Sequence, residues 1–272
     1  MFKHSLHLRT IRDIMQDLLI TLIQSKLHWQ NTTRNLTSFE QKIAQIDGPT
    51  DIVLLPEMFT TGFTMNAAEY AEEMDGPTMQ WMATQADKID AVIVGSLIIK
   101  EGSDYFNRLI WMFPGGMFHT YDKRHLFAMS GEHEHFTQGE EKLIVECKGW
   151  KICPMICYDL RFPVWARNQE SYDLLIYIAN WPNKRSYDWR TLLKARAIEN
   201  QAYVVGVNRV GQDDNGHDYT GDSCVIDPGW RKELFHCEKE EVVHTITLSA
   251  SHLHEVRKKL PFLVDSDDFK LI

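Results

Sequence analysis

The segment DLLIYIANWPNKRSYDWRTLLKARAIENQAYVVGVNRVG, residues 173–211, holds two apolar runs with a longer mixed run between them. DLLIYIAN and AYVVGVNRVG keep apolar side chains at consecutive positions, as strands do when both faces of their sheet are covered. Between them, SYDWRTLLKARAIENQ has the length and composition of a helix, with Ser186 as the expected N-cap. Strand, helix and strand in that order imply a layered α/β fold.

The same grammar extends outward. DLLITLI at 17–23, DIVLLP at 51–56 and AVIVGSLII at 91–99 read as buried strands, separated by helical spacing at 33–46 and by a helix starting near Pro77. From residue 105 the pattern changes to hairpins: YFNRLIWMF and GMFHTYD flank Pro114-Gly115-Gly116, and EKLIVECKGWKICPMIC turns near Gly149. Two more strand signals, near 222–227 and 242–248, precede a helix at about 250–258. Buried runs with helices predict covered sheets, and the hairpins predict mixed rather than purely parallel pairing. No repeat or Gly/Ser/Pro linker divides the chain, so residues 15–272 are expected to form one domain and residues 1–14 a peripheral extension.

Composition narrows the function classes. A formal charge of −9 disfavours a nucleic-acid or membrane-surface partner, which demands clustered Lys and Arg. No stretch approaches the ~18 to 20 apolar residues of a membrane span. Five cysteines without paired CxxC spacing suit a reducing cytoplasm better than a disulfide framework. A small-molecule substrate is the expected partner.

Three buried runs deliver a reactive side chain at their ends: Glu57 just after DIVLLP, Lys123 after GMFHTYD, and Cys157 closing WKICPMI. In α/β sheets ligands collect outside strand ends, where loops present side chains into a cleft. Singly, a cysteine there is ordinary packing and a loop Glu or Lys ordinary solvated surface. Together they can do acyl chemistry. Thiolate needs a base or positive charge, Glu can shuttle the proton, and Lys can stabilise thiolate and oxyanion.

LLPEMFTTGF at 54–63, YDKRHLF at 121–127 and ICYDLRFP at 156–163 resemble the three signature segments of the nitrilase, or carbon-nitrogen hydrolase, superfamily, in the same order. RAIENQAYVVGVNRVG at 196–211 resembles a fourth, while GEHEHF at 131–136 and ANWP at 179–182 resemble its bacterial ω-amidase branch. That resemblance implies a four-layer αββα sandwich of two mixed sheets flanked by helices, commonly a homodimer. It implies Glu57 as general base and acid, Lys123 as electrostatic stabiliser, Cys157 as nucleophile, and the backbone N–H of Tyr158 as oxyanion donor. The auxiliary glutamate of the family falls on Glu132 or Glu134, with Glu132 the better spaced. Trp181 and Arg161 are candidate substrate-binding residues, with core packing the competing role for Trp181 and loop bracing for Arg161; Phe59 and Phe63 are candidate acyl-site walls.

The implied reaction is ammonia release from the terminal amide of a small dicarboxylate monoamide, such as α-ketoglutaramate or α-ketosuccinamate, through a thioester. No cofactor or metal is required; His133 and His135, with His125, lack the HExxH spacing of a zinc helix. The same three residues could instead serve a nitrile or N-carbamoyl amino acid hydrolase, or survive in a non-catalytic binding protein.

Overall fold

The computed structural model describes residues 15–229 and 232–271, so the expected extension at 1–14 lies outside the described residues. The order is β1 (Leu18–Gln24), α1 (Thr32–Ile43), β2 (Ile52–Leu54), α2 (Ala67–Tyr70), α3 (Pro77–Ile89), β3 (Val92–Glu101), β4 (Asp104–Met112), β5 (Phe118–Asp122), α4 (Glu132–His135), β6 (Val145–Cys147) and β7 (Trp150–Ile156). There follow α5 (Pro163–Ala166), β8 (Leu174–Ala179), α6 (Ser186–Asn200), β9 (Tyr203–Asn208), β10 (Val210–Gln212), β11 (Asp218–Ile226), β12 (Glu233–Glu238), β13 (Val242–Leu248) and α7 (Ala250–Lys259).

Two mixed sheets result. The first runs β13-β1-β2-β3-β4-β5, with β1, β2 and β3 parallel and the β3-β4-β5 meander antiparallel. The second runs β10-β11-β9-β8-β7-β6, with β7, β8 and β9 parallel and β12 also paired to β11.

Strand parity explains why the runs are mostly apolar on both faces. On β1, β2, β3 and β4, Leu18, Ile20, Leu22, Ile52, Leu54, Val92, Val94, Leu109 and Trp111 join the core between the sheets. Their sequence neighbours Ile23, Val53, Ile93 and Ile110 point the other way, onto Phe39 and Ile43 of α1 and Met79, Met82 and Ala86 of α3. A period of two thus divides each strand between two hydrophobic layers. On the second sheet α6 supplies Trp189, Leu193 and Ala197 to the core. The helix lies so close that a Cβ on Gly206 of β9 would stand 2.6 Å from Leu193 and 2.8 Å from Trp189. The four layers are therefore helices, sheet, sheet and helices.

Two local expectations are corrected. Ser186 is the first residue of α6 rather than its cap; Arg185 holds the N-cap position without a side-chain cap bond, and the Ser186 hydroxyl donates instead to Asp222 Oδ2 at 2.7 Å. Strand β12, ELFHCE, was not expected, because its half-buried edge position calls for no apolar run.

Candidate active site

Glu57, Lys123 and Cys157 lie just beyond the carboxyl ends of β2, β5 and β7. Strands β2 and β5 belong to one sheet and β7 to the other, so the three side chains meet between the sheets at one edge of the sandwich. The loop after β5 is held in place from below: Arg108 of β4 makes a two-bonded ion pair with Asp122, Nε to Oδ1 at 2.6 Å and NH2 to Oδ2 at 2.9 Å. The Lys123 N–H donates to Asn107 O at 3.0 Å, which continues the pairing one step further.

Glu57 and Lys123 have essentially no solvent exposure. Lys123 Nζ donates to Glu57 Oε1 at 2.8 Å and to both carboxylate oxygens of Glu132 at 2.9 Å. Burial would push the ammonium down, but Glu132 and Glu57 reverse that and hold it well above the usual lysine range. Burial holds Glu132 above the usual carboxylate range, Lys123 opposing this and Glu57 reinforcing it. Of the two candidate glutamates, Glu132 is in this network and Glu134 is exposed, as are His133 and His135.

Two asparagines complete the carboxylate cage, and neither was singled out from the sequence. Asn107 of β4 donates through Nδ2 to Glu57 Oε1 at 2.8 Å and Glu132 Oε1 at 3.3 Å. Asn180, just after β8, donates its backbone N–H to Glu57 Oε2 at 2.8 Å and its side-chain amide to Glu57 O. An asparagine at a strand end beside a carboxylate-bearing loop is the only signal that could have flagged Asn180; Asn107 gives none.

Cys157 opens the short 3-10 turn Cys157–Arg161 with φ of 44°. That left-handed backbone, unusual for a side chain with a Cβ, turns the chain sharply at the thiol and must be held by its surroundings. Asp159 does much of the holding: Oδ2 accepts from the Ile156 N–H at 3.1 Å and the Tyr121 hydroxyl at 2.7 Å, while Oδ1 accepts from the His125 N–H at 3.0 Å. His125 Nδ1 lies 2.8 Å from the same Oδ1, and its ring stacks on Phe162 at 3.7 Å. The cysteine turn and the lysine loop are thereby tied to one carboxylate. Burial pushes the Cys157 thiol well above its usual range, the Glu57 carboxylate adds to the rise, and the Lys123 ammonium only partly offsets it.

A cavity of about 730 Å³ opens over Lys123 and Cys157. Its volume suits a small organic ligand. Tyr158, Trp181, Phe63 and Phe127 supply its aromatic walls, and Arg161 also reaches it. Trp181 is almost fully buried and donates Nε1–H to Arg185 O at 2.7 Å, so it serves wall and core together. Arg161 lies over the Trp181 ring and pairs with Asp188 at 2.7 Å, a bracing contact made within the lining. Phe63 lies under Lys123 Nζ at 5.0 Å. Phe59 instead packs edge-on against Phe39 in the helix-side core and does not line the cavity. Among the described residues no helix is long and apolar enough to cross a membrane.

The sequence pattern of the carbon-nitrogen hydrolase family matches residues 19–257. The chain is 47% identical over 259 residues to an Escherichia coli (strain K12) protein named omega-amidase YafV, covering 94% of this chain and 100% of that one. It is 32% identical over 251 residues to 2-oxoglutaramate amidase of Bacillus subtilis (strain 168), covering 90% and 96%. Among solved structures, XC1258 from Xanthomonas campestris, a CN-hydrolase superfamily protein with an arsenic adduct in its active site, superposes with a TM-score of 0.93 at 44% identity, covering 95% and 100% of the two chains.

Proposed function

The chain belongs to the carbon-nitrogen hydrolase family, and from that premise we propose that it is an ω-amidase, releasing ammonia from the terminal amide of a small dicarboxylate monoamide such as α-ketoglutaramate. The observation that carries this reading is the buried Glu57–Lys123–Glu132 cluster set beside a hindered thiol at the floor of a small-molecule cavity. The names of the relatives supply the substrate class.

In this mechanism Glu57 takes the Cys157 proton as sulfur attacks the amide carbonyl. Oε1 of Glu57 already accepts two donors and Oε2 one, so Oε2 is the oxygen with room for the proton. The tetrahedral oxyanion is stabilised by Lys123 and by the Tyr158 N–H, which directly follows the nucleophile. Lys123 can turn one N–H toward it because its grip on Glu132 is doubled. Glu57 then gives its proton to the leaving nitrogen, ammonia departs and a thioester remains. Water, deprotonated by Glu57, attacks the thioester; collapse releases the carboxylic acid, and the proton on Glu57 returns to sulfur. Glu132 holds Lys123 in place throughout. The reading needs no cofactor.

Residues 15–272 act as one catalytic unit in this account, in a reducing cytoplasm that keeps all five cysteines as thiols. A homodimer is the matching assembly, supported by exposed Tyr187 and Ile198 on one face of α6 and Val164 on α5; size-exclusion chromatography with light scattering tests it. The function is tested by ammonia release from α-ketoglutaramate, glutamine, butyramide and a nitrile in parallel. The keto-acid amide should dominate kcat/KM, and preference for glutamine or the nitrile would sink the proposal.

A further inference from the structure

A dicarboxylate monoamide brings a carboxylate into the cavity together with its amide, and that charge needs a partner. It cannot find one beside the reacting carbon. The Lys123 donors are already aimed at the Glu57 and Glu132 carboxyl groups, which crowd the space under the cavity. The substrate's free carboxylate is therefore driven toward the part of the cavity away from Glu57, where the remaining cations stand.

Three other cations reach the lining: Arg161, Lys184 and Arg185. Arg161 already donates NH2 to Asp188 Oδ2 at 2.7 Å, so part of its charge is met by that carboxylate. Lys184 is exposed to water, where a flexible ammonium discriminates poorly. Arg185 is different. It is half-buried at the N-cap of α6, its backbone is fixed by the bond from Trp181 Nε1, and its guanidinium lies over the Phe127 ring at 5.1 Å. Among the described residues no carboxylate forms an ion pair with it. Phe127 in turn meets the Tyr158 ring at 4.9 Å, so an aromatic wall leads from this guanidinium to the residue beside Cys157. The acidic residue of the lining, Asp213, is occupied: Oδ1 accepts the Asn215 and His217 N–H groups and Oδ2 the Tyr219 hydroxyl.

Resting on the ω-amidase reading, we infer that Arg185 is the substrate-binding residue that grips the free carboxylate and thereby selects dicarboxylate monoamides over neutral amides. A planar guanidinium can meet a carboxylate with two parallel N–H bonds, and its position over Phe127 restricts the orientations it must lose on binding.

The test compares α-ketoglutaramate with butyramide, a neutral amide of similar length, in the wild type and in Arg185→Met, Arg185→Lys and Arg161→Met. In Arg185→Met the ratio of kcat/KM for α-ketoglutaramate to that for butyramide should fall by about 10- to 100-fold, the scale of one lost charge-assisted contact, with the loss in KM rather than kcat. Arg185→Lys, which keeps the charge without the fork, should fall in between. Should Arg185→Met not fold, Arg185→Lys decides alone, and an unchanged ratio in it overturns the assignment. Equal loss on both substrates, or a larger fall of the ratio in Arg161→Met, also overturns it. A wild type that does not prefer α-ketoglutaramate overturns the ω-amidase reading itself, which is a separate outcome.

Discussion

Replacing Lys123 by Met keeps most of the stem's volume and removes one charge, leaving Glu57 and Glu132 facing each other without solvent. Both carboxylates are fully buried, and both accept from the same Asn107 amide. Removing one partner of a buried ion pair costs about 3–5 kcal/mol, and here two carboxylates are stranded, which argues for the upper part of that range at neutral pH. The loss should depend on pH. Burial already raises Glu132 with the ammonium present, and without it the value rises further. An unfolded glutamate titrates near ~4.3, so between that pH and the raised folded value the folded variant binds more protons than the unfolded chain. Its stability therefore falls as pH rises across that window, by about 1.4 kcal/mol per pH unit. The wild-type lysine adds no slope there: its folded value is raised, so its stabilisation is fully present below the unfolded lysine value and is lost only as pH climbs through the folded one. Urea unfolding of both proteins at pH 5 and pH 8 reads the difference. A gap that is wider at pH 8, and that narrows in Lys123→Met/Glu132→Gln, is expected. A gap under about 1 kcal/mol, or one equal at the two pH values, would refute the claim that the ammonium offsets the cost of burying Glu57 and Glu132 side by side.

Further outcomes test other parts of the site. Asn107→Leu removes a hydrogen bond to each glutamate in its charged form, so the acid limb of the kcat/KM profile should move to higher pH by about 1 to 2 units, given about 1.5–3 kcal/mol per bond to a charged group; an unmoved limb would make Asn107 mere packing. Gly206→Ala forces a methyl into Leu193 and Trp189 and should cost about 1–3 kcal/mol in urea unfolding, whereas a neutral result would mean α6 is not seated as described. Asp159→Ala frees the cysteine turn from the lysine loop and should cut kcat by at least about tenfold, the scale of a misplaced reacting group, with a smaller effect on KM; full activity would show the tie to be dispensable.

Burial leaves a mark in the sequence, whereas the direction of a single side chain does not. Strands β1, β2, β3, β8 and β9 announce themselves because both of their faces are buried over most of their length, so consecutive positions are mostly apolar. Edge strand β12 is half-buried and polar in part, and carries no such signature. Glu57, Lys123 and Cys157 stand out because reactive types interrupt apolar runs at strand ends. Asn107 lies inside a strand, and what matters about it is the direction of one amide, which composition does not record. Phe59 and Phe63 are four residues apart in one loop, yet one packs in the core and the other lines the cavity. The separation comes from the tight turn they share, in which Met58 and Gly62, the residues directly before each phenylalanine, adopt positive φ, and a tertiary fact of that kind has no periodicity to read.

The most direct measurement is ammonia release from α-ketoglutaramate by Cys157→Ala, alongside wild type and with the variant's folding checked by circular dichroism and thermal melting. The account predicts rapid release by wild type and none above background by a folded Cys157→Ala protein. Appreciable turnover by the folded variant would contradict it.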